Sequence, residues 1–541
     1  MERRVFLRDA TGLVKEMSLF DLAWWGICGS GGLYLLFYFM PYAQYYLPGA
    51  DLGLSIILCL IVMIPLYLLY AGLGSSMPRT GGDYVFESRI LHPAIGFAFP
   101  FAWFTVVWVA VFVAFGGFVI ASLGLAPVFL LLGALQNNST FLGWAGWLQG
   151  ATGIFVVSAI TGLLSLLITV YPMSWWVKSQ RFVFFPFTMI SVIVMTYLLG
   201  TATTSSFHDA FNYWGNLMGS PGLYESVVNA TSTPASGYVT PAFSWSNTMI
   251  LMAVISIYIA WTMWGSQSLL SEVKRAGDFR RLFTAYLGAG LFVQWIVLYL
   301  PIALFSNVVG WDFTNRLANA YYLPSSVVPF YPTVGLLVSM LTTNPVLIVL
   351  VSLGIIAGGF FIAASEYVAV TRIWLAMAMD RILPAWFGSV NSRTHTPVYQ
   401  TLLCCAISLI AAYLFNFWPP FYSVITVGSV MGPTGVVFIT AIAAILFRKR
   451  LRVVFDQSPM SRYKLGPVYL IEVVGVVAAI VAFAIDTIYL TAPQLGYNTP
   501  VPIAITFGLL IISVIYFYAR SSHLKSKGID IKQVFNEIPP E

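Results

Sequence analysis

Gly26-Ile27-Cys28-Gly29-Ser30-Gly31-Gly32 stands in the middle of a long apolar run. Each glycine in a helix interior costs about 1 kcal/mol relative to alanine. Four glycines in seven residues therefore oppose a continuous helix across 18–46. In a bilayer, irregular backbone is tolerated only where it lines a cavity or is buried in protein. A break there exposes amides at the start of the second half-helix, which suit a carboxylate, and carbonyls at the end of the first, which suit a cation. The competing reading is close helix packing through small residues.

The rest of the chain reads as membrane-embedded. Of 541 residues, 59% are apolar and 9% charged, against roughly 25% charged in a soluble domain. Windows of about 20 apolar residues fall near 18–46, 51–76, 94–124, 150–172, 182–200, 247–271, 283–306, 345–371, 398–416, 420–447, 466–490 and 501–520. The expected fold is an all-α polytopic membrane protein of about twelve spans, with no cleavable signal peptide and no soluble domain. Lys and Arg of short loops collect on the cytoplasmic side. With these spans only Arg316 falls on the other side, so 25 of the 26 basic residues share one face. The net charge of +6 is then a topology signal that needs no nucleic acid, and both termini are expected in the cytoplasm of a plasma-membrane protein. The sequons at Asn137, Asn138 and Asn229 all fall in loops placed outside. The outer loops 125–149, 201–246 and 307–344, with Asp209, Glu225 and Asp312, read either as a lid or as plain connections. Cys28, Cys59, Cys404 and Cys405 lie in apolar runs without metal-ligand spacing and read as small core residues.

A transporter built from inverted repeats should carry a second interrupted helix at the matching place in its second half. The sixth span offers Tyr258-Ile259-Ala260-Trp261-Thr262-Met263-Trp264-Gly265-Ser266-Gln267-Ser268. It holds one glycine among polar and aromatic residues. Trp261 and Trp264 read either as packing aromatics or as substrate-facing ones. Trp24, Trp25 and Tyr34 lie near the first break and hint at an apolar or aromatic substrate side chain.

Several segments, in order, carry a resemblance. They are Gly29-Ser30-Gly31-Gly32; Met77-Pro78-Arg79-Thr80-Gly81-Gly82-Asp83-Tyr84, continuing through Ser88-Arg89 to Gly96-Phe97; Ser271-Glu272-Val273-Lys274; Thr371-Arg372; Ala376-Met377-Ala378; Asp380-Arg381-Ile382-Leu383-Pro384; and Thr396-Pro397-Val398. Over roughly 15–450 the chain resembles the amino acid–polyamine–organocation superfamily of permeases. The resemblance implies one transporter domain over 1–541: a first five-helix repeat (18–200), a second, inverted one (247–447), two peripheral helices (466–520) and a cytoplasmic tail (521–541). It implies a substrate between spans 1 and 6, with spans 3, 8 and 10 closing the site. Cys28, Gly29, Ser30, Gly31 and Gly32 on one side, and Ala260, Trp261, Thr262, Trp264 and Gly265 on the other, are then the substrate-binding candidates. Ser30, Gly31 and Gly32 would offer amides to a carboxylate, and Ala260–Gly265 carbonyls to an amino group. Arg79, Arg89 and Glu272 are candidates for a cytoplasmic gate. Many relatives carry Gly-Phe or Gly-Tyr at the second break, where this chain has Thr262. The fifth span, from Phe182 to Gly200, holds no lysine, so a lysine-based proton mechanism does not transfer.

An ionisable residue inside a span is a functional candidate by default. Glu366, in the eighth span, reads either as a proton-titrating group or as a helix-end carboxylate paired with Arg372. With Ser365 it forms the ion-coupling candidate, for H⁺ rather than Na⁺; a substrate–substrate exchanger needs neither. Glu472 lies in the eleventh span and Asp486 near its outer end, on a helix the resemblance places at the periphery, and both read as structural or interfacial; Asp51 opens the second span and Asp21 starts the first. The function expected is a secondary permease for an amino acid or related small amine. Polyamine or organocation transport, a transporter-like sensor, a channel and a membrane-embedded enzyme are the alternatives. No organic cofactor is expected. For the enzyme, His92, His208, His395 and His523 sit in loops or at span ends, and no metal or triad motif is present. No filter-like segment supports a channel.

Overall fold

The computed structural model describes residues 11–536, apart from 32, 35, 38–42, 44, 325 and 496–498, and without the side chains of 235, 423–428, 430, 532, 533 and 536. The span helices, numbered in chain order, are α1 Leu19–Gly29, α2 Leu52–Ser76, α3 Pro93–Gln136, α4 Ala151–Val170, α5 Met173–Thr201, α6 Trp245–Ala260, α7 Phe279–Val308, α8 Pro345–Met379, α9 Val398–Phe417, α10 Pro419–Arg450, α11 Leu470–Thr491 and α12 Pro500–Ser526. Among the described residues, 11 helices are long and apolar enough to cross a membrane. The expected first span is described as helix over Leu19–Gly29, and much of its second half lies outside the described residues.

Helix ends follow local chemistry. Ser18 and Asp21 form a capping box at the start of α1, and Arg181 holds Asp21 at 2.6 Å. Asp51 caps α2 through the N–H of Leu54. Glu472 accepts from Tyr469 N–H at the start of α11, 3.8 Å from Arg448. A side-chain acceptor satisfies amides that the first helical turn leaves unpaired. The boundary between α9 and α10 is Trp418 alone, with Pro419 and Pro420 opening α10, where a missing N–H costs nothing.

The outer segments depart from the expected loops. Ala126–Leu135 is as apolar as the span before it, so α3 continues to Gln136 and stops only at Asn137, a left-handed C-cap. A further helix, Ser139–Gln149, follows. The other two outer segments carry helices Thr204–Leu217, Leu223–Ser232, Trp311–Tyr322 and Val334–Ser339. A small antiparallel hairpin pairs Lys464 with Tyr469 between α10 and α11.

Apolar side chains cover the outside of the bundle. Ile61, Ile160, Ile193, Ile410, Phe483 and Ile512, from six different helices, are each more than half exposed. Soluble surfaces rarely carry such continuous apolar area, and lipid is the solvent that suits it. At the centre, α1 lies against α7 and α8, and α6 against α2. Gly358 of α8 sits so close to the first break that a Cβ there would be 2.6 Å from Gly31 O.

Candidate functional site

The first break is a tight turn. Ser30 N–H donates to Gly26 O and Gly31 N–H to Cys28 O, both at 3.0 Å, while Ser30 Oγ donates to Ile27 O at 2.8 Å. Gly31 has φ +71°, a conformation that costs a residue with a Cβ roughly 1–2 kcal/mol. Gly32 lies outside the described residues. The amides of Ser30 and Gly31, expected to face a carboxylate, are thus engaged within the turn.

The second break begins where α6 ends, at Ala260. Thr262 N–H donates to Ile259 O at 3.1 Å, Met263 N–H to Ala260 O at 3.0 Å and Trp264 N–H to Trp261 O at 3.3 Å. Tight turns then run over Gly265–Ser268 and Leu270–Glu272. The break thus starts at Trp261 and includes Thr262. Tyr67 of α2 holds it from the side: its hydroxyl lies 2.7 Å from Thr262 Oγ1 and donates to Ile259 O at 3.1 Å. Thr262 is therefore turned to α2.

The two breaks meet backbone to backbone. A Cβ on Gly26 would lie 1.7 Å from Thr262 O, so no other residue fits without separating the segments. Around this crossing stands an aromatic cluster. Trp264 stacks on Phe104 of α3 at 5.2 Å and 18°. Trp108 lies edge-on to Trp264 at 5.7 Å and to Trp261 at 6.1 Å, and Phe112 meets Trp261 at 5.5 Å. Trp25 comes in from α1: a Cβ on Gly265 would be 2.6 Å from Trp25 Cη2 and 3.2 Å from Trp108 Cζ3.

Trp25, Trp108 and Trp261 are 1%, 5% and 3% exposed, and none of their indole N–H groups has a hydrogen-bond partner. A buried unpaired donor costs about 1–3 kcal/mol, and all three indoles belong to the aromatic cluster around the crossing. Trp264 differs: its indole N–H donates to Asp83 Oδ2 at 3.1 Å. Trp24, two turns from the break, packs instead on Phe185 and Phe292. Tyr34 meets Phe115 and Tyr258 on the far side of the crossing.

On α8, Ser365 faces the first break. A Cβ on Gly29 would lie 3.7 Å from its Oγ, and that hydroxyl donates to Ile362 O at 3.0 Å. Glu366 is 2% exposed and its Oε1 has no partner. Arg372 pairs elsewhere, so the helix-end pairing considered for Glu366 does not form.

Below the breaks the basic end of the bundle is closed by two buried ion pairs. Arg372 Nε lies 2.9 Å from Glu272 Oε1, both side chains 1% exposed. Arg89 holds Asp380 at 2.7 Å, again both 1% exposed, and Tyr84 OH donates to the same Asp380 carboxylate. Glu272 and Arg89 are thus both ion-paired here, though not with each other. Arg79 is half-buried and donates its N–H to Met77 O at 2.8 Å. Backbone zips the same end: Met17 N–H donates to Glu272 O at 3.0 Å, Lys274 N–H to Met17 O at 2.9 Å and Gly81 N–H to Ser268 O at 3.3 Å.

Three groups escaped the sequence reading. Phe104, Trp108 and Phe112 recur every fourth residue and so share one helix face, a signal available in the third span. Tyr67 had no signal. Asp83 and Glu87 stand four apart, on one face of the helix Asp83–Ile90. No group of three or more His, Cys, Asp or Glu suited to a metal occurs among the described residues.

A lipid-clad helix bundle with two broken helices crossing at a buried aromatic centre points to a membrane transporter. Comparison with known families agrees: the family described as amino acid permease matches residues 17–515, and the chain belongs to that family. Family membership points to a transporter rather than an enzyme. The chain is 24% identical over 511 residues to an uncharacterised amino-acid permease of Schizosaccharomyces pombe, covering 90% of this chain and 79% of that protein. It is 28% identical over 159 residues to an uncharacterised transporter of Rhizobium meliloti, covering 29% of this chain and 30% of that protein's length.

Proposed function

We propose that this permease carries an amino acid across the plasma membrane by alternating access, with the substrate bound where α1 and α6 cross. The observation that carries the reading is the trio of unpartnered indole N–H groups, Trp25, Trp108 and Trp261, around the crossing of the two breaks. A carboxylate entering there pairs with those donors first. The Ser30 and Gly31 amides join only if the first turn opens, because both are already bonded within it. Carbonyls of Ala260–Gly265 then receive the amino group, and the aromatic rings of α3 and α6 bound an apolar side chain. With the basic residues on the cytoplasmic face, both termini lie inside the cell, and the pairs Arg372–Glu272 and Arg89–Asp380 close the inner gate. Movement of the five-helix halves against each other opens it. Ser365 stands beside the first break, while Glu366, the next residue on α8, lies near Cys404 of α9; the two are the ion-coupling candidates.

The test is thermal stabilisation of the purified chain against a panel of zwitterionic amino acids, amines and organic anions. Binding to the folded state stabilises by about 2.7 kcal/mol at a hundredfold excess over Kd. The expected result is a shift with one or more zwitterionic amino acids that Gly31→Leu abolishes. Shifts produced only by amines would reject the carboxylate-binding mode, and shifts produced only by anions would reject the amino-group contact with the Ala260–Gly265 carbonyls.

A further inference from the structure

Two carboxyl groups of the helix Asp83–Ile90 are buried side by side. Asp83 is 2% exposed and Glu87 is 0% exposed. Between them stands the hydroxyl of Thr440, from α10. Thr440 Oγ1 is 2.7 Å from Asp83 Oδ1 and 3.1 Å from Glu87 Oε1. A hydroxyl has one proton to give, so it cannot donate to both carboxylates. Asp83 takes the shorter contact and is otherwise well served: Tyr70 OH donates to its Oδ1 at 2.8 Å and Trp264 Nε1 to its Oδ2 at 3.1 Å. Three donors suit an ionised carboxylate. Glu87 is left with one contact that lacks a hydrogen, and its Oε2 has no partner at all. A proton on Glu87 Oε1 resolves both problems, because Glu87 then donates to Thr440, which donates to Asp83.

We infer that Glu87 is a proton-binding residue, joined through the Thr440 hydroxyl to Asp83 and through Asp83 to Trp264 at the second break.

Among the described residues, no cation competes for the role. Arg89, on the same helix, is spent on Asp380 and on Ser88 Oγ at 2.7 Å, with its guanidinium over the Phe535 ring at 4.9 Å. The other titratable groups on the helix and on the elements packed against it are accounted for. Tyr84 serves Asp380 and Tyr70 serves Asp83. His92 caps the start of α3. On α8, Arg372 is bound to Glu272, and Glu366 stands 14 residues before Asp380, about 21 Å along the axis at 1.5 Å per residue. Arg448, Lys449 and Arg450 are at the exposed end of α10. The side chain of Lys532, on the terminal turn Ile531–Asn536, lies outside the described residues. Burial pushes the Glu87 carboxyl well above the ordinary glutamate range, and the neighbouring Asp83 charge pushes it further. Burial raises Asp83 as well, while its hydrogen bonds from Thr440, Tyr70 and Trp264 oppose that shift.

The reaction is simple uptake: one proton from water converts the Glu87 carboxylate to the acid, and no other bond changes. When Glu87 is deprotonated, Thr440 is contested by two anions and Asp83 loses part of its support, which loosens the tie from Asp83 to Trp264. Protonation therefore strengthens the hold on the second break. That consequence for transport rests on the proposed function; the proton site itself does not. The folded chain keeps a proton that the unfolded chain has lost, so stability falls as pH rises from the ordinary glutamate range towards the raised value. Glu87→Gln removes that slope.

The test uses the purified full-length protein and the proton as probe. Infrared spectra are recorded at neutral pH in H₂O and D₂O, and Glu87→Gln is subtracted from the wild type. The expected difference is a protonated-carboxyl band that shifts on deuteration, together with a shallower loss of thermal stability in the variant as pH rises above the ordinary glutamate range. Spectra that superimpose in the carboxylic-acid region would overturn the inference. Should Glu87→Gln not accumulate, Thr440→Val serves: removing the shared hydroxyl must displace the band, and an unmoved band overturns the proposal equally. A blank amino-acid panel would remove the transport consequence and leave the infrared result standing, so the two readings fail separately.

Discussion

Removing one partner of the Arg372–Glu272 pair should be far more damaging than removing both. The charges are 2.9 Å apart and both side chains are 1% exposed. At an effective dielectric constant of about 20, their attraction is about 6 kcal/mol. Most of this offsets the loss of hydration on burial, and the net value of such a pair over an apolar replacement is near zero. Deleting one partner leaves the other charge buried and unmatched, at a cost of about 3–5 kcal/mol. Arg372→Met strands Glu272 in the turn that also accepts from Met17 N–H, so the loss should reach the contact between the segments before α1 and after α6. Glu272→Leu strands Arg372, whose remaining contact is Thr371 Oγ1 at 3.3 Å. The assay is a double-mutant cycle on apparent thermal midpoints of the four proteins in one detergent, because membrane proteins of this size unfold irreversibly. The expected pattern is two strongly destabilised single variants and a double variant that regains more than half of the loss. A double variant as damaged as the two singles combined would show that the site acts by packing, and would refute the charge argument.

Two further outcomes follow from geometry. Gly26→Ala places a Cβ 1.7 Å from Thr262 O; since the obstacle is backbone, the variant should lose about 3 kcal/mol or more of stability, within the range of severe overpacking. A thermal midpoint equal to wild type would contradict the contact. On the outer surface, His208 Nε2 lies 2.7 Å from Glu225 Oε1, and this hydrogen bond raises the imidazole above its ordinary range, while hydrogen bonding to its backbone holds Glu225 below the carboxylate range. A raised histidine contributes its stability below its unfolded value and loses it as pH rises through the folded one. Proteolysis of 204–232 should accordingly quicken as pH rises above the ordinary histidine range, and Glu225→Gln should remove that pH dependence.

The spans and the first break were legible because their signals are local. Hydropathy marks a helix that faces lipid, and four glycines in seven residues forbid a smooth one. The outer segments were less legible, since a polar stretch near a span says nothing about whether it coils or turns. Ala126–Leu135 was apolar throughout, yet its continuation of α3 shows only in the left-handed stop at Asn137. Ion partners were illegible for a different reason. Glu272 and Arg372 are 100 residues apart, and Arg89 and Asp380 are 291 apart; nothing in local spacing selects one basic residue among several. The two breaks were readable from glycine and aromatic spacing, but that Trp25 and Trp108 are buried with unpaired indole N–H groups shows only in the structure. Asp83 and Glu87 were visible as an i, i+4 pair, and only Thr440, more than 350 residues away, shows that they share one proton donor.

The central claim is that the crossing of α1 and α6 is an acceptor-binding site served by indole donors. Equilibrium binding of the amino acid that stabilises the wild type most, measured on Trp108→Phe and Trp261→Phe, tests it most directly. Phenylalanine keeps an aromatic ring and removes the N–H, so each variant should weaken binding about three- to tenfold, as expected for one hydrogen bond of about 0.5–1.5 kcal/mol. Affinities unchanged in both variants would contradict the claim and move the site away from the crossing.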